Sequence, residues 1–163
     1  MLACRMLCIN YIQALSYNHY PGRQPVDANT SAKTILVVED EPDTRIFLAN
    51  LLAANGFCPI CAATIAEGLK KAKDTIPGLV IINAMLPKEA GLRLFRSLRC
   101  SDGLCHIPIV MLSTLDKETY DRWTETRRSP SGRPIPAPEA YLQKPPEAEE
   151  LLAVINRFCT SPD

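Results

Sequence analysis

The sequence lacks an excess of charge of either sign. Its 163 residues include 18 basic and 18 acidic side chains, so the formal net charge is zero. This balance excludes a broad electrostatic attraction to nucleic acid or to an anionic membrane. No apolar run approaches the roughly 18 residues that would indicate a membrane span, so no membrane insertion is expected. Partners are therefore expected to recognise local patches.

A dense disulfide framework is also missing. The seven cysteines are odd in number and spread along the chain, unlike those of a small secreted domain. Reduced thiols in a cytoplasmic protein are the expectation. Cys58 and Cys61 form a CxxC pair, but they lie on a predicted edge strand, where residues three apart point to opposite faces. A redox or zinc role is therefore not favoured for this pair, and Cys100 and Cys105 are read as ordinary loop residues.

What the sequence does contain is an alternation of apolar runs and helical patterns that begins at Thr34. This alternation is typical of a parallel sheet with helices on both faces. It predicts one α/β domain over residues 34–160 and a flexible extension over residues 1–33. The predicted strands are Ile35–Val38, Phe57–Ala62, a strand from Leu79 to Asn83, Ile107–Leu112 and Ala140–Gln143.

Helical patterns follow the strands. The first begins at Pro42 and ends before Gly56, and its inward stripe is predicted to contain Ile46, Phe47, Leu51 and Leu52. Thr64 is expected to cap the second helix. The remaining predicted helices are Gly91–Arg99, Asp116–Arg128 and a final helix that presents Leu151, Leu152, Ile155 and Phe158. Between the last two, Ser129–Pro138 is rich in proline and predicts a loop.

Polar side chains collect where the predicted strands end. Glu39 and Asp40 follow the first strand, and Asn83, Ser113 and Lys144 stand at the ends of the third, fourth and fifth. Because the carboxyl ends of parallel strands meet at one edge of the sheet, these side chains are expected to lie close together. Acids beside an amine and a hydroxyl suit a hard cation and a phosphoryl group.

Four stretches carry a resemblance to a known family. They are ILVVEDEPD at 35–43, LVIINAMLP with KEAGL at 79–92, IPIVMLS at 107–113 and AYLQKP at 140–145. In this order they resemble the receiver domain of two-component response regulators. The resemblance implies a flavodoxin-like fold with five parallel strands in the order 2-1-3-4-5 and helices on both faces.

The resemblance also implies roles for individual residues. Glu39 and Asp40 match the acidic pair that holds Mg²⁺, and Met85 matches the residue whose backbone carbonyl is a metal ligand. Ser113 matches the hydroxyl that bonds the phosphoryl group, and Lys144 matches the lysine that pairs with it. The plainer alternative is that the acids and Lys144 form a salt-bridge cluster that only stabilises the fold, while Ser113 satisfies backbone groups at the strand end.

Asn83 departs from the family pattern, since it occupies the place of the aspartate that receives the phosphoryl group. A neutral amide is a far poorer nucleophile than a carboxylate, and it lacks the charge that attracts a divalent cation. We therefore expect no ordinary phosphotransfer and weak or lost Mg²⁺ binding. Tyr141 matches the aromatic that turns inward on activation; without the usual trigger, a static packed aromatic is favoured.

These patterns predict a stand-alone, atypical receiver that is not an enzyme and acts through protein-protein interaction in two-component or phosphorelay signalling. The expected partner is a histidine kinase or another two-component protein, bound through the face of helix 4, strand 5 and helix 5. The alternative is a small enzyme or ligand-binding protein with flavin or phosphoryl chemistry on the same fold. Its weakness is the EDEPD loop, whose like charge would repel a phosphate. A conventional receiver regenerated by deamidation of Asn83 is less favoured, because no glycine follows it.

Overall fold

The computed structural model describes residues 34–87, 90–125 and 135–159. The predicted extension 1–33 and most of the Ser129–Pro138 loop lie outside the described residues. Strands and helices alternate along the chain. They are β1 (Thr34–Val38), α1 (Pro42–Ala54), β2 (Cys58–Ala62), α2 (Ile65–Thr75), β3 (Leu79–Asn83), α3 (Ala90–Arg99), β4 (Ile109–Ser113), α4 (Lys117–Glu125), β5 (Ala140–Gln143) and α5 (Ala148–Cys159).

The five strands form one sheet in the order β2-β1-β3-β4-β5, and every neighbouring pair is parallel. This confirms the predicted architecture and the edge position that Pro59 indicated for β2. In register, Asn83 stands opposite Leu112, and Ser113 opposite Gln143. The ends of β3, β4 and β5 are therefore level, which brings the polar residues that follow them to one edge of the sheet.

Two apolar layers cover the sheet. Every residue of β1, β3 and β4 is buried, as is typical of parallel strands with helices on both faces. Alternate strand residues face opposite layers: Leu36 and Val38 pack with α2, α3 and α4, whereas Ile35 and Val37 pack with α1 and α5. None of the helices in the described part of the chain is long and apolar enough to span a membrane.

The inward stripe predicted for α1 is wrong at two positions. Ile46 and Phe47 are 58% and 46% exposed, and the buried residues of α1 are Leu48 and Leu52. Residues four apart lie on one face of a helix, so Leu48 and Leu52 share the inner face while Ile46 lies outside it. The error arose because α1 is apolar on several sides, and its periodicity therefore marks no single face.

The start of β4 also differs from the prediction. The strand begins at Ile109 and includes Ser113, whereas the sequence predicted Ile107–Leu112. Ile107 instead closes a turn, since its N–H donates to the carbonyl of Leu104, and Pro108 accepts a hydrogen bond from Val80 as the chain enters the sheet. The predicted cap of α2 is confirmed, because Thr64 Oγ1 accepts a hydrogen bond of 3.2 Å from the N–H of Glu67.

An ion pair between Arg99 and Glu139 anchors the approach to β5. The Arg99 side chain is 3% exposed, and its guanidinium donates to the carbonyls of Cys105 and Ile107 as well as to the Glu139 carboxylate. Glu139 also accepts a hydrogen bond from the N–H of Ile109 at 2.6 Å. These contacts join the end of α3 to the beginnings of β4 and β5.

Gly91 allows α3 to begin directly against the end of β3. A Cβ atom at this position would lie 2.2 Å from the carbonyl oxygen of Asn83 and 2.8 Å from the Cα of Ala84. Both neighbours are backbone atoms that cannot move aside like a flexible side chain. The absence of a side chain at Gly91 therefore determines how closely α3 approaches the loop after β3.

Substitution of Gly91 by alanine is expected to destabilise the domain. The inserted methyl group forces α3 away from the end of β3, with an expected loss of about 2 kcal/mol or more in the free energy of unfolding. Urea denaturation of Gly91→Ala measures the loss. The matched control is Gly103→Ala, where an added Cβ meets no heavy atom within 4 Å. Equal stability of the two variants would contradict the prediction.

Candidate functional site

Glu39 and Asp40 follow β1 and differ in exposure. Glu39 is 1% exposed, whereas Asp40 is an exposed residue. The N–H of Glu39 extends the pairing with β2 by donating to the carbonyl of Ala62 at 3.0 Å. Arg45, one turn into α1, donates from Nη1 to the carbonyls of Glu39 (2.7 Å) and Asp40 (3.0 Å). The backbone of the acidic pair is therefore held in place by both neighbouring elements.

Asn83 lies at the end of β3 with 6% of its surface exposed. Its Nδ2 donates to Glu39 Oε1 at 2.8 Å and to Asp40 Oδ1 at 3.0 Å. Its Oδ1 accepts a hydrogen bond of 2.9 Å from the N–H of Met85. The amide group therefore has partners on both its nitrogen and its oxygen, and it joins the loop after β1 to the loop after β3.

Lys144 lies just beyond β5, and its side chain reaches the Glu39 carboxylate. Its Nζ forms an ion pair with Glu39 Oε2, and the two side chains are 15% and 1% exposed. The N–H of Lys144 donates to the carbonyl of Ser113 at 2.7 Å, which aligns the ends of β4 and β5. The peptide bond between Lys144 and Pro145 is cis. The structure thus brings the predicted acids, amide and lysine together.

Ser113 and Tyr141 both contact the backbone of Leu115. Ser113 is fully buried, and its Oγ accepts a hydrogen bond of 3.1 Å from the N–H of Leu115. The hydroxyl of Tyr141 donates to the carbonyl of Leu115, and the Tyr141 ring packs on Tyr120 with centroids 4.4 Å apart. Burial raises the pKa of the Tyr120 hydroxyl. Together these contacts close the loop between β4 and α4.

The donor set in this arrangement is poorly suited to a divalent cation. The carboxylates of Glu39 and Asp40 face the amino group of the Asn83 amide, whereas a cation requires oxygen ligands. Lys144 adds a further positive charge at Glu39. Across residues 34–87, 90–125 and 135–159, no group of three or more His, Cys, Asp or Glu side chains could hold a metal ion.

The cysteines in the described ranges lie apart from this site. Cys58 and Cys61 are half-buried thiols on β2, and no disulfide joins them. Burial raises the pKa of the Cys61 thiol, which lowers its reactivity at neutral pH. Cys100 and Cys105 are exposed in the segment after α3. Within the described ranges, these thiols form no disulfide and belong to no group of metal-ligating side chains, so a redox or zinc site is not favoured.

Three contributors to this site were absent from the sequence-based set. Arg45 donates hydrogen bonds to backbone carbonyls, and Leu115 contributes only its own backbone. Neither residue therefore belongs to a sequence pattern that indicates a site. Tyr120 was predicted to lie on a helix but not to pack on Tyr141. Contacts to backbone atoms depend on how loops fold and are not visible as residue types.

The fold and the site define a class of protein: an α/β domain whose parallel strands gather acids, an amide, a hydroxyl and a lysine at their carboxyl ends. The family model of the response regulator receiver domain matches residues 35–125, and the chain belongs to this family. It is a family of signalling domains that act in two-component systems.

Relatives of known identity agree with this membership. Over 126 residues the chain is 30% identical to the phosphate regulon transcriptional regulatory protein PhoB of Escherichia coli K12, covering 77% of this chain and 51% of PhoB. It is 27% identical over 122 residues to Protein PilH of Pseudomonas aeruginosa, covering 75% and 93% of the two chains. The chain therefore spans about half the length of PhoB and most of the length of PilH.

Solved structures show the same fold. The chemotaxis protein CheY4 of Vibrio cholerae has a TM-score of 0.66 and 23% identity, covering 77% of this chain and 97% of that one. The receiver domain of a sensor histidine kinase from Pseudomonas aeruginosa PAO1 has a TM-score of 0.66 and 22% identity, covering 79% and 98%. The latter structure contains a magnesium ion coordinated in its active site cleft.

Removal of the Lys144 charge is expected to destabilise the fold. The substitution Lys144→Met leaves the buried Glu39 carboxylate without its ion-pair partner, with an expected loss of about 2–3 kcal/mol. Urea denaturation measures this loss. The control is Lys117→Met, whose exposed pair with Asp121 is expected to contribute less than about 1 kcal/mol. The double variant Glu39→Gln/Lys144→Met should recover part of the loss; similar losses for Lys144→Met and Lys117→Met would contradict the prediction.

Proposed function

We propose that this chain is an atypical receiver that works as a protein-interaction module in two-component or phosphorelay signalling, without phosphotransfer to residue 83. The observation that carries the proposal is the orientation of Asn83. Its amide nitrogen donates to Glu39 and Asp40, and its oxygen is engaged by the N–H of Met85. The position that would need a nucleophilic carboxylate holds a hydrogen-bonded neutral amide.

Phosphotransfer to this position is disfavoured by the chemistry of the amide. A carboxylate oxygen can attack phosphorus and form an acyl phosphate, whereas the lone pair of an amide nitrogen is delocalised into its carbonyl group. The loss of one negative charge also lowers the attraction for a divalent cation. Any Mg²⁺ held by Glu39, Asp40 and the Met85 carbonyl is therefore weakly bound. The roles of Ser113, Lys144 and Tyr141 become structural.

The partner surface that we propose is formed by α4, β5 and α5. A groove of about 420 Å³ lies on this surface, and its lining includes Lys117, Tyr141, Gln143, Lys144, Glu147 and Glu150. Charged groups of both signs suit a complementary protein surface better than a polyanion. The proposed partner is a histidine kinase or another two-component protein, and the proposed compartment is the cytoplasm.

An enzymatic function on the same fold is less favoured. The loop after β1 and the first turn of α1 present the exposed acids Asp40, Glu41 and Asp43 where a flavin or nucleotide phosphate would approach. These carboxylates repel an anionic ligand, and the Arg45 guanidinium nearby already donates to the carbonyls of Glu39 and Asp40. A protein-interaction role requires no such ligand.

Acetyl phosphate treatment tests the block at residue 83. In the presence of Mg²⁺, the wild-type chain should remain unmodified by intact mass, because it has no carboxylate at this position. The variant Asn83→Asp should gain one acid-stable, base-labile phosphoryl group, since Ser113 and Lys144 are already in place. Asn83→Ala is the control and should stay unmodified. A stoichiometric phosphoryl group on the wild type that disappears in Asn83→Ala would contradict the proposal.

Charge changes on the groove test the partner surface. Against a panel of purified histidine kinases and phosphotransfer proteins from the same organism, the wild type should bind at least one member. The exposed substitutions Gln143→Lys and Glu150→Lys should raise the Kd about tenfold, because they change the charge of the groove. Lys73→Glu, exposed on α2, is the control and should change the Kd less than about twofold. Absence of any binding partner, or an equal effect of all three changes, would contradict the proposal.

A further inference from the structure

The polar groups at the carboxyl ends of β1, β3, β4 and β5 bond to other groups of the chain. Asn83 makes three hydrogen bonds, Lys144 is paired with Glu39, and Ser113 accepts from the N–H of Leu115. Each of these groups is buried or nearly so. A pocket made for a cation and a phosphoryl group would instead present such groups to a ligand. Here they are directed at other parts of the chain.

The orientation of the Asn83 amide follows from its surroundings. With Nδ2 toward Glu39 and Asp40, two donors meet two acceptors, and Oδ1 meets the donor of Met85. A half-turn of the amide would place its oxygen against two carboxylates and its amino group against an N–H. That arrangement replaces three attractive contacts by three repulsive ones, and the group is 6% exposed, so little water is available to compensate.

The same contacts compensate the negative charge of the two carboxylates at the site. The Glu39 carboxylate forms an ion pair with Lys144. It also accepts hydrogen bonds from Asn83 and from the N–H of Glu41, the latter at 3.3 Å. Asp40 is exposed, so water solvates it, and Asn83 adds one donor. A buried carboxylate is tolerated when it is paired and hydrogen-bonded. The acidic pair therefore needs no divalent cation.

We infer that Asn83 is an internal replacement for the divalent cation: its amino group bridges Glu39 and Asp40, and its oxygen holds the loop after β3. The pocket keeps one conformation with or without Mg²⁺ and without a phosphoryl group. Asn83 is thus a positioning residue, and the domain presents a constant surface to its partner. This inference deepens the proposed function and rests on it, since a pocket that is not phosphorylated has no chemical use for the cation.

Thermal unfolding of the full chain tests this replacement in EDTA and in excess MgCl₂, with KCl at matched ionic strength to separate screening from binding. The wild-type Tm in MgCl₂ should equal the wild-type Tm in KCl of the same ionic strength. Asn83→Asp puts a third carboxylate beside Glu39 and Asp40, so its Tm in EDTA should fall below that of the wild type. MgCl₂ should then raise the Tm of Asn83→Asp by about 2–4 °C or more, because a ligand that binds the folded state stabilises it.

Calorimetric titration with MgCl₂ gives the corresponding affinities. The Kd of Asn83→Asp should be at least about tenfold lower than that of the wild type. A rise in the wild-type Tm with MgCl₂ equal to that of Asn83→Asp would overturn the inference, and so would an Asn83→Asp variant as stable as the wild type in EDTA. A wild type that binds Mg²⁺ tightly yet stays unmodified by acetyl phosphate would overturn this inference alone and leave the proposed function standing.

Amide hydrogen exchange supplies a measurement that does not depend on the aspartate variant. In EDTA, the N–H of Met85 should be protected in the wild type, because it donates to Asn83 Oδ1. In Asn83→Ala its exchange should be at least about tenfold faster, while the N–H of Leu115, bonded to Ser113, should keep its rate. Equal exchange of the Met85 N–H in both proteins would overturn the inference.

Discussion

The carboxylate of Glu39 is 1% exposed, and a buried charge of this kind is tolerated only with partners. Its partners come from three places in the chain: the amide of Asn83 at the end of β3, the ammonium group of Lys144 after β5 and the N–H of Glu41 before α1. These contacts can form together only because parallel pairing sets the strand ends level. The compensation of one buried charge therefore fixes the relative positions of the end of β3, the segment after β5 and the loop before α1.

The function that we propose follows from the chemistry of those partners. An aspartate at position 83 would add a negative charge beside the acids, and a cation would then be needed to balance the pocket. Asn83 removes that charge and supplies donors instead, so the same strand ends form a closed hydrogen-bonded cluster. In the proposed function, the receiver keeps a constant surface and contributes to signalling by binding a partner protein.

Prediction from the sequence succeeded where a pattern reports burial directly. The continuous apolar runs of β1 and β3 indicated strands buried on both faces, and Pro59 indicated an edge strand. Prediction failed on α1, which has more apolar residues than its buried face can contain. Ile46 and Phe47 were assigned to the interior, but both are exposed. The start of β4 was also misplaced, because Ile107 is buried in a turn and burial alone does not distinguish a turn from a strand.

The sequence by itself determined the fold, the family and the set of polar residues at the strand ends, because hydrophobic periodicity and residue types are local properties of the chain. Only the tertiary structure decided what those residues do to one another. The direction of the Asn83 amide, the pairing of Lys144 with Glu39 and the shared use of the Leu115 backbone by Ser113 and Tyr141 join distant segments. The physical reason is that hydrogen-bond direction depends on the position of both partners, and residue type specifies only which donors and acceptors are available.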